Sequence, residues 1–496
     1  MRRTRLWFVV FLACAGFGLA WVARERGQSS PLVVWKPDAR AHADDKRQVA
    51  RALGRIPPPL PGTQGAGSDA KPDVVVIVLD TVRADRLSVY DARLDTTPNL
   101  ARWAQDARVY TRMQSVGAWT LPSHASLFTG QYPVTHGAEG TPRGVKASAR
   151  ALHADADTLA RRLKGAGWQT VGIAGNRAYL DRRWGLSQGF DAWLCEGLAK
   201  SRDGIPYVTA DRVVDMATQV LEAPRTQPLF LFLNFMDAHA PYIPREGYVR
   251  DPAVLEPGTL PYAKRWPEVR ERLLATGKLD PDIQRSWVEA YDAELRFLDA
   301  QLARLFVSMA EHGIGPEDQV VILADHGEYL GDHGYQGHSQ DLYEQVLHIP
   351  LLVRSPGVQP GRDDAPVQTT DVPSMVLRGV GLPAFGEPLP VQVSELYWSR
   401  KRDLDHPLYW QRFDRIRRAY RLGFHKVIVG TDGSFEAYDL SVDPQELRST
   451  PTEVWATALR AQGEALFATL PVAGKAADGE MVEENAEALK ALGYTE

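Results

Sequence analysis

Residues 74–80 read VVVIVLD, an unbroken apolar run rich in β-branched side chains that ends in Asp80. Such a run favours a strand buried on both faces, as the strands of a parallel sheet are. Residues 229–235 (LFLFLNF) and 319–325 (QVVILAD) repeat the pattern, and helix patterns begin between these runs. The alternation predicts an α/β fold, doubly wound around a mainly parallel central sheet flanked by helices.

The chain is predicted to have four parts. Residues 1–23 form a signal peptide or membrane anchor, and residues 24–71, rich in Pro, Gly, Ala, Arg and Asp, form a flexible linker without a core. Residues 72–381 carry the strand and helix alternation. Residues 382–496 show shorter strands and turns, which predict a smaller C-terminal α+β subdomain with one or two closing helices.

The N-terminal segment predicts export. The first five residues, MRRTR, are basic, and residues 7–23 are apolar without a charge. This length is near the lower limit for a membrane span, and it also fits a signal peptide with a cleavage site at residues 18–20. Either route places the rest of the chain outside the cytoplasm, membrane-anchored or secreted.

Composition excludes several classes of partner and scaffold. A net charge of -5 and a pI near 6.2 give no reason to expect nucleic acid as a partner. The two cysteines, Cys14 and Cys195, are too few for a disulfide framework, and we interpret Cys195 as an ordinary buried thiol. With 44% apolar residues, the chain can bury a substantial core.

Residues 114–137 (QSVGAWTLPSHASLFTGQYPVTHG) are predicted to deliver a hydroxyl to the start of a helix. Pro122 is tolerated in a first turn, Ser123 can cap the helix, and Gly130 can end it. Thr120 would then lie where the helix dipole favours an anion, which makes its hydroxyl a candidate nucleophile for an ester of sulfate or phosphate. The alternative is a capped helix with an exposed threonine.

Polar groups follow each of the three apolar runs. These groups are Asp80 after the first, Asp237 with His239 after the second, and Asp325 with His326 after the third. Because parallel strands end at one edge of a sheet, these groups are predicted to converge on a metal or oxyanion. A single aspartate at a strand end more often caps a helix, so the prediction depends on all three sites together.

Several segments resemble the sulfatase family. They are TLPSHASLFTG at residues 120–130, VLDTVRADRLSVYD at 78–91, DAHAPYIP at 237–244, the stretch ADHGEYLGDHGYQGHSQDLYE at 324–344, YDAELRFLDAQLARL at 291–305, YDLSVDPQELRS at 438–449 and the ending ALKALGY. The resemblance implies that Asp80, Asp325 and His326, together with Thr120, bind a metal. It also implies that His239 contacts the substrate and that His338 contacts the ester oxygens.

On this interpretation, a divalent cation lowers the pKa of the Thr120 hydroxyl, which attacks phosphorus or sulfur and gives a covalent intermediate. The ligand types suit Ca, Mn, Mg or Zn without choosing among them. His239 and His338 would protonate the leaving oxygen, stabilise the charged oxygens or hold a second metal. His136 and His333 are interpreted as structural, whereas Arg83 would contact the anion or form a salt bridge.

The sequence departs from the family at three positions. Thr120 replaces the Cys or Ser that family members oxidise to an aldehyde, so no formylglycine is expected. Thr81 stands in place of a second metal-binding Asp, and His124 in place of an Arg. A threonine ester lacks the second hydroxyl of an aldehyde hydrate, so it must be cleaved at the central atom, which suits phosphorus. Phosphate, phosphonate and phosphodiester substrates are therefore favoured over sulfate.

The sequence thus predicts an exported, sulfatase-like, metal-dependent hydrolase that acts on a small-molecule, glycan or lipid ester. Two alternatives remain open, which are a phospho-group transferase of the same superfamily and a non-catalytic binder of sulfated or phosphorylated ligands. Metal analysis with a panel of esters separates them. Substrate specificity is assigned to the loops at residues 142–155 and 246–280. Their sequences do not indicate which substrate is bound.

Overall fold

The structure is a computed structural model that describes residues 39–56, 71–145, 147–195, 207–261 and 263–473. Two sequence predictions, the signal peptide or anchor at residues 1–23 and the family-like ending ALKALGY, lie outside these ranges. Within them, no helix is both long enough and apolar enough to cross a lipid bilayer.

The strands are defined as follows, in chain order: β1 (Val74–Leu79), β2 (Arg108–Gln114), β3 (Gln169–Ala174), β4 (Ala192–Leu194), β5 (Leu229–Phe235), β6 (Gln319–Leu323), β7 (Tyr329–Leu330), β8 (Gln336–Gly337), β9 (Leu351–Arg354), β10 (Gly361–Gln368), β11 (Gln392–Tyr397), β12 (Ile416–Leu422), β13 (His425–Gly430) and β14 (Phe435–Asp439).

The helices are likewise α1 (Ala39–Leu53), α2 (Pro98–Trp103), α3 (Thr120–Thr129), α4 (Pro133–His136), α5 (Leu159–Gly165), α6 (Ala210–Glu222), α7 (Trp266–Thr276), α8 (Pro281–Glu311), α9 (Glu344–Leu347), α10 (Val372–Gly379), α11 (Lys401–Leu404) and α12 (Val454–Phe467).

The central sheet has eight strands in the order β10-β2-β9-β6-β1-β5-β3-β4. Neighbouring strands are parallel except at β9, which runs antiparallel to both β2 and β6. The three apolar runs of the sequence are the adjacent strands β6, β1 and β5, and every residue in them is buried. The predicted α/β fold with a mainly parallel sheet is therefore confirmed.

The C-terminal region forms a separate antiparallel sheet in the order β11-β12-β13-β14, packed against α12. Its core includes Val393, Tyr420 and Val427, and it extends to Val116 just before α3. The Glu395 N–H donates to the Val116 carbonyl at 2.8 Å, so β11 is tied directly to the loop that leads into α3. The predicted smaller C-terminal subdomain is confirmed, and it supports the segment that carries Thr120.

Helix α1 lies inside the range predicted as a flexible linker, and the prediction is wrong for these residues. Val49 is buried, and the Asp45 carboxylate accepts two hydrogen bonds from the Arg212 guanidinium of α6, at 2.7 and 2.8 Å. The segment has few apolar residues, so its composition resembles a tether. Val49, together with the partly buried Ala52 and Leu53, packs on the hydrophobic core, and the buried ion pair to Arg212 adds to this docking.

Removing the Asp45 carboxylate should therefore destabilise the domain. We expect Asp45→Ala to lower the free energy of unfolding by roughly 3–5 kcal/mol, because Arg212 then loses its buried bidentate partner. The matched control is Asp44→Ala, since Asp44 pairs with Arg47 at the surface, where an ion pair contributes about 0–1 kcal/mol. Urea unfolding measures both changes, and equal values for the two variants would show that α1 is not docked.

Candidate active site

Two adjacent strands position the metal-ligand candidates. Asp80 follows β1 directly, and Asp325 and His326 lie two and three residues after β6. One ligand atom from each side chain lies within 4.8 Å of the other two, and all three residues are buried. The structure therefore brings together the three side chains that the resemblance implied as metal ligands, because β1 and β6 are parallel neighbours that end at the same edge.

Each of these side chains has one atom held by a hydrogen bond. Asp325 Oδ1 accepts from the backbone N–H groups of Thr81 at 3.1 Å and His326 at 2.8 Å. His326 Nδ1 lies 2.9 Å from the Gly327 carbonyl, which places the hydrogen on that nitrogen. Asp80 Oδ2 accepts from Asn176 Nδ2 at 3.1 Å. These bonds fix the orientation of the opposite atom in each side chain.

The opposite atoms, Asp80 Oδ1, Asp325 Oδ2 and His326 Nε2, are buried and have no hydrogen-bond partner among the described residues. Asp325 Oδ2 lies 3.3 Å from His326 Nε2, within ion-pair distance but without hydrogen-bond geometry. Orphaned buried polar atoms are rare because each costs free energy. Two carboxylate oxygens and one imidazole nitrogen that face a common point fit a divalent cation.

Electrostatics supports the same conclusion. Burial, and secondarily the charge of Asp325, raises the pKa of Asp80 to about 8, and burial raises the pKa of Asp325 to about 7. Burial also lowers the pKa of His326. Two carboxylates this close in a buried site are unfavourable while ionised, and a bound cation would reverse that balance.

Thr120 is the first residue of α3 and is fully buried. Its Oγ1 lies 3.4 Å from Asn176 Nδ2, the same nitrogen that donates to Asp80 Oδ2, and the Thr120 side chain acts against the rise in the pKa of Asp325 that burial causes. The threonine oxygen is therefore directed at the carboxylate pair. The alternative of an exposed threonine on a capped helix is excluded.

The start of α3 differs from the prediction in one detail. Trp119 is the residue before the helix and has an extended backbone, with φ -167° and ψ 165°, so the helix starts earlier than a Ser123 cap would require. Ser123 lies inside the first turn, and its hydroxyl donates to the Gly117 carbonyl at 3.3 Å. Gly130 ends the helix in the left-handed conformation, at φ 67°, as predicted.

His124 lies one turn beyond Thr120, behind the nucleophile candidate. Its Nδ1 is 2.9 Å from the Thr120 carbonyl and 3.5 Å from Asp325 Oδ2. Complete burial lowers the pKa of His124 to about 3, so the ring is neutral. Where the family pattern has a cationic arginine, this site therefore has an uncharged group that supports the first turn of α3.

His239 and His338 both lie beside the ligand candidates. The His338 ring centroid is 4.4 Å from that of His326 and 5.0 Å from that of His239. Burial lowers the pKa of His239 to about 3 and also lowers the pKa of His338. His239 and His338, which the resemblance implied as substrate contacts, therefore form one cluster with the candidate ligand His326.

Asp237, in contrast, does not join the site. Its Oδ1 pairs with Arg245 at 3.1 Å and accepts from the Ala210 N–H at 3.2 Å. Arg245 in turn pairs with Glu294 of α8. The prediction that Asp237 could bind the metal or oxyanion is wrong, because Asp237 is not part of the cluster of Asp80, Asp325 and His326 and its Oδ1 pairs with an arginine eight residues later in the chain. Nothing in the local pattern indicated that contact.

Two residues at the site, Glu328 and Asn176, were not identified from the sequence. Glu328 Oε2 accepts from His338 Nδ1 at 2.9 Å, and Glu328 Oε1 accepts from the Tyr242 hydroxyl at 3.0 Å. Asn176, at the end of β3, bridges Thr120 and Asp80. Glu328 lies two residues after His326, and Asn176 lies two residues after β3, so closeness to a candidate ligand or to a strand end was a signal that was available.

The remaining candidates are structural, as the sequence predicted for the histidines. His136 Nε2 hydrogen-bonds with the Ser126 hydroxyl at 3.0 Å, and the His333 ring stacks on Tyr343 with centroids 3.8 Å apart. Arg83 pairs with Asp85 at 2.8 Å and with Asp332 at 2.9 Å. For Arg83, the structure shows the salt-bridge alternative.

The fold and the site together define an α/β protein of the class that gathers buried carboxylates, imidazoles and a hydroxyl at the ends of parallel strands. The chain belongs to the sulfatase family of the alkaline phosphatase superfamily, because the family model described as Sulfatase matches residues 72–382. Family membership makes it a sulfatase-like ester hydrolase.

Relatives and solved structures agree with this assignment. An ulvan-active sulfatase of Formosa agariphila is 24% identical over 336 residues, which cover 62% of this chain and 61% of that protein. A phosphonate monoester hydrolase from Silicibacter pomeroyi superposes with a TM-score of 0.61 at 20% identity, covering 80% of this chain and 95% of the other. A protein solved in complex with D-glucosamine-2-N,6-O-disulfate superposes with a TM-score of 0.60 at 17% identity. The match covers 85% of this chain and 98% of the other. At these identities, the solved structures support the fold.

Proposed function

We propose that this protein is a metal-dependent phosphoesterase of the sulfatase family that uses Thr120 as its nucleophile. The observation that carries the proposal is that Asn176 joins the buried Thr120 hydroxyl to Asp80, one of three clustered side chains whose open atoms have no hydrogen-bond partner among the described residues. A divalent cation bound there would lower the pKa of the threonine hydroxyl and neutralise an ester oxygen.

The residues of the chain then have separate roles. Thr120 Oγ1 forms a bond to the central atom of the ester while the bond to the leaving oxygen breaks, and water releases the threonine ester in a second step. Asn176 hydrogen-bonds both the Thr120 hydroxyl and Asp80, which fixes the position of one relative to the other. His239 and His338 would contact the group being transferred, whose negative charge favours protonated rings, and in that form they would stabilise its charged oxygens or protonate the leaving oxygen.

Phosphorus is favoured over sulfur as the central atom. A threonine ester has no neighbouring hydroxyl that could expel the bound group, so turnover needs attack at the central atom, which proceeds well at phosphorus. The named relatives include sulfatases, and the solved structures with the same fold include a phosphonate monoester hydrolase. Sulfate esters and phosphorus esters should therefore both be tested. Phosphate, phosphonate and phosphodiester esters are the proposed substrates, on small molecules, glycans or lipids.

The proposed place of action is outside the cytoplasm. Support comes from the sequence of residues 1–23, where a basic start precedes an apolar run. The catalytic domain would be secreted or held at the membrane surface by that segment.

The test is turnover of a panel of aryl phosphate, phosphonate, phosphodiester and sulfate esters, each with added Zn²⁺, Mn²⁺, Mg²⁺ or Ca²⁺ and after chelation. We expect metal-dependent release from the phosphorus esters and a phosphoryl group on the Thr120 peptide after rapid quenching and mass spectrometry. Transfer of that group to an added alcohol would instead identify a transferase. Tight binding of anions without any turnover would refute catalysis and favour a binding protein.

Glu328 should affect the rate more than substrate binding. Its side chain hydrogen-bonds His338 Nδ1, so Glu328→Gln keeps the size of the side chain but replaces the acid that supports the imidazole with an amide. We expect kcat to fall about tenfold or more while KM changes little. Tyr242→Phe, which removes only the bond to the other carboxylate oxygen, is the matched control and should have a smaller effect. An unchanged kcat for Glu328→Gln would exclude this role.

A further inference from the structure

A polar side chain interrupts one of the central apolar strands of the sheet. Strand β5 reads LFLFLNF, and Asn234 is its only polar residue and is fully buried. A buried amide costs free energy unless both its oxygen and its nitrogen find hydrogen-bond partners. Because β5 lies between β1 and β3, a side chain near its carboxyl end can reach the residues that follow both neighbouring strands.

The Asn234 amide joins these two strand ends. Its Oδ1 accepts from the backbone N–H of Asn176 at 2.9 Å, two residues after β3, and its Nδ2 donates to Asp80 Oδ2 at 3.3 Å, directly after β1. The Asn234 carbonyl also accepts from the Gly175 N–H at 2.9 Å. Because a backbone N–H only donates, Oδ1 must face Asn176 and Nδ2 must face Asp80. The partners therefore fix the orientation of this amide.

The Asn176 side chain is oriented in the same way. Its Oδ1 accepts from the backbone N–H groups of Ala178 and Tyr179, both at 3.0 Å. Its Nδ2, which has two hydrogens to donate, is therefore directed at Asp80 Oδ2 at 3.1 Å and at Thr120 Oγ1 at 3.4 Å. One amide nitrogen thus contacts both a candidate metal ligand and the candidate nucleophile.

These hydrogen bonds form a chain from β5 to the nucleophile candidate. Asn234 holds the backbone of Asn176, and Asn176 contacts Thr120 Oγ1. Both amides also donate to the same carboxylate oxygen, Asp80 Oδ2. The direction of the opposite oxygen, Oδ1, is fixed by these two bonds, and Oδ1 has no hydrogen-bond partner among the described residues.

We propose that Asn234 is a positioning residue that sets Thr120 Oγ1 and Asp80 Oδ1 relative to one another by holding both Asn176 and Asp80. This inference rests on the proposed function of the same site, and it adds a residue that acts only through its neighbours. Strands β1 and β3 are not adjacent in the sheet, so no ladder of backbone bonds ties their ends together directly. A displacement of about 1 Å in an active site can cost about 100-fold in rate, so this coupling bears on kcat.

The test is Asn234→Leu, because leucine has a similar volume and suits a buried strand but forms none of these side-chain hydrogen bonds. On the metal-loaded protein, kcat for 4-nitrophenyl phosphate should fall about tenfold or more, while KM changes less than about threefold. Metal binding to the same variant, measured by competition with a chromophoric chelator, should weaken about tenfold because Asp80 loses one of its two amide donors.

The matched control is Thr170→Val. Thr170 is also buried and lies in the neighbouring strand β3, but near its opposite end, where its hydroxyl donates to the Gly189 carbonyl at 2.9 Å. Valine keeps the size of the side chain and removes the hydroxyl, so stability should decrease while kcat and metal affinity match the wild type. Equal losses of kcat in Thr170→Val and Asn234→Leu would reflect a general loss of buried hydrogen bonds and overturn the proposal.

A double-mutant cycle tests whether Asn234 acts through Asn176. In an Asn176→Ala background, the chain of hydrogen bonds to Thr120 is already broken. Adding Asn234→Leu should then lower kcat by less than about threefold, although it lowers kcat about tenfold in the wild-type background. Losses of kcat that multiply in full in the double variant overturn the proposal.

Metal affinity separates this inference from catalysis. If the wild type binds metal but cleaves no ester, the proposed function fails, and metal binding about tenfold weaker in Asn234→Leu still supports the positioning of Asp80. If the wild type cleaves esters but kcat and metal affinity in Asn234→Leu stay within about twofold of it, the positioning role alone is refuted. Should Asn234→Leu not fold, Asn234→Ser, whose hydroxyl is too short to bridge both partners, replaces it with the same expected losses.

Discussion

Thr120→Ala should reduce kcat on the phosphorus esters by about 10³-fold or more, the range seen when a catalytic nucleophile is removed. The methyl group of alanine cannot form the covalent ester, whereas the three candidate ligands stay in place. Metal content should therefore remain near that of the wild type, as measured by elemental analysis. Thr120→Ser keeps the hydroxyl at the start of α3 and should retain much of the activity.

Thr129→Ala is the matched control for this prediction. Thr129 is buried at the other end of the same helix, and its hydroxyl donates to the Ala125 carbonyl at 2.7 Å. Its removal should cost about 1 kcal/mol of stability and leave kcat unchanged. If Thr120→Ala kept more than a tenth of the wild-type kcat, threonine would not be the nucleophile.

Asp325→Asn should have opposite effects on stability with and without metal. In the metal-free protein, Asp80 and Asp325 are buried acids whose pKa values are raised, so ionisation destabilises the folded state. The destabilisation from Asp325 grows as pH rises from about 4, the ordinary pKa of an aspartate, and it is complete above the folded pKa of about 7. At pH 8 in chelator, Asp325→Asn should therefore be more stable than the wild type, by roughly 2 kcal/mol.

With metal added, the order should reverse. The wild type gains stability from binding, and the variant lacks one anionic ligand and should lose at least about tenfold in metal affinity together with most of its activity. Thermal unfolding in chelator and in a series of metal concentrations measures both halves of the prediction. The same stability order in chelator and in saturating metal would show that these side chains do not form a cation site.

Much of the catalytic frame is set by local patterns in the sequence. The runs that became β1, β5 and β6 are almost entirely apolar because each strand is covered on both faces of the sheet. The need for an apolar side chain at each position can therefore be read directly from the sequence. Asp80, Asp325 and His326 follow two of these strands, and parallel neighbours end at one edge. Position along the chain was therefore enough to place these side chains together, and the turn residues around α3 placed Thr120 at a helix start.

Contacts between distant segments had no such local signal. Asp237 has the same position relative to its strand as Asp325 has, two residues after the last strand residue, but it pairs with Arg245, so only the packing distinguishes a structural carboxylate from a candidate ligand. The docking of α1 through Asp45 likewise depends on an arginine far along the chain. An ion pair needs one residue on each side and no periodicity, and a linear pattern cannot reveal it.

The sequence by itself determined the α/β fold, the family, the threonine at the nucleophile position and the three candidate ligands, because strand periodicity and helix-start chemistry act over a few neighbouring residues. The tertiary structure decided which atoms of those candidate ligands are hydrogen-bonded and which have no partner among the described residues. It also decided that Glu328 contacts His338 and that Asn234 joins Asp80 to Asn176. Those features arise where segments 10 to 154 residues apart meet, and such meetings depend on the packing of the whole domain.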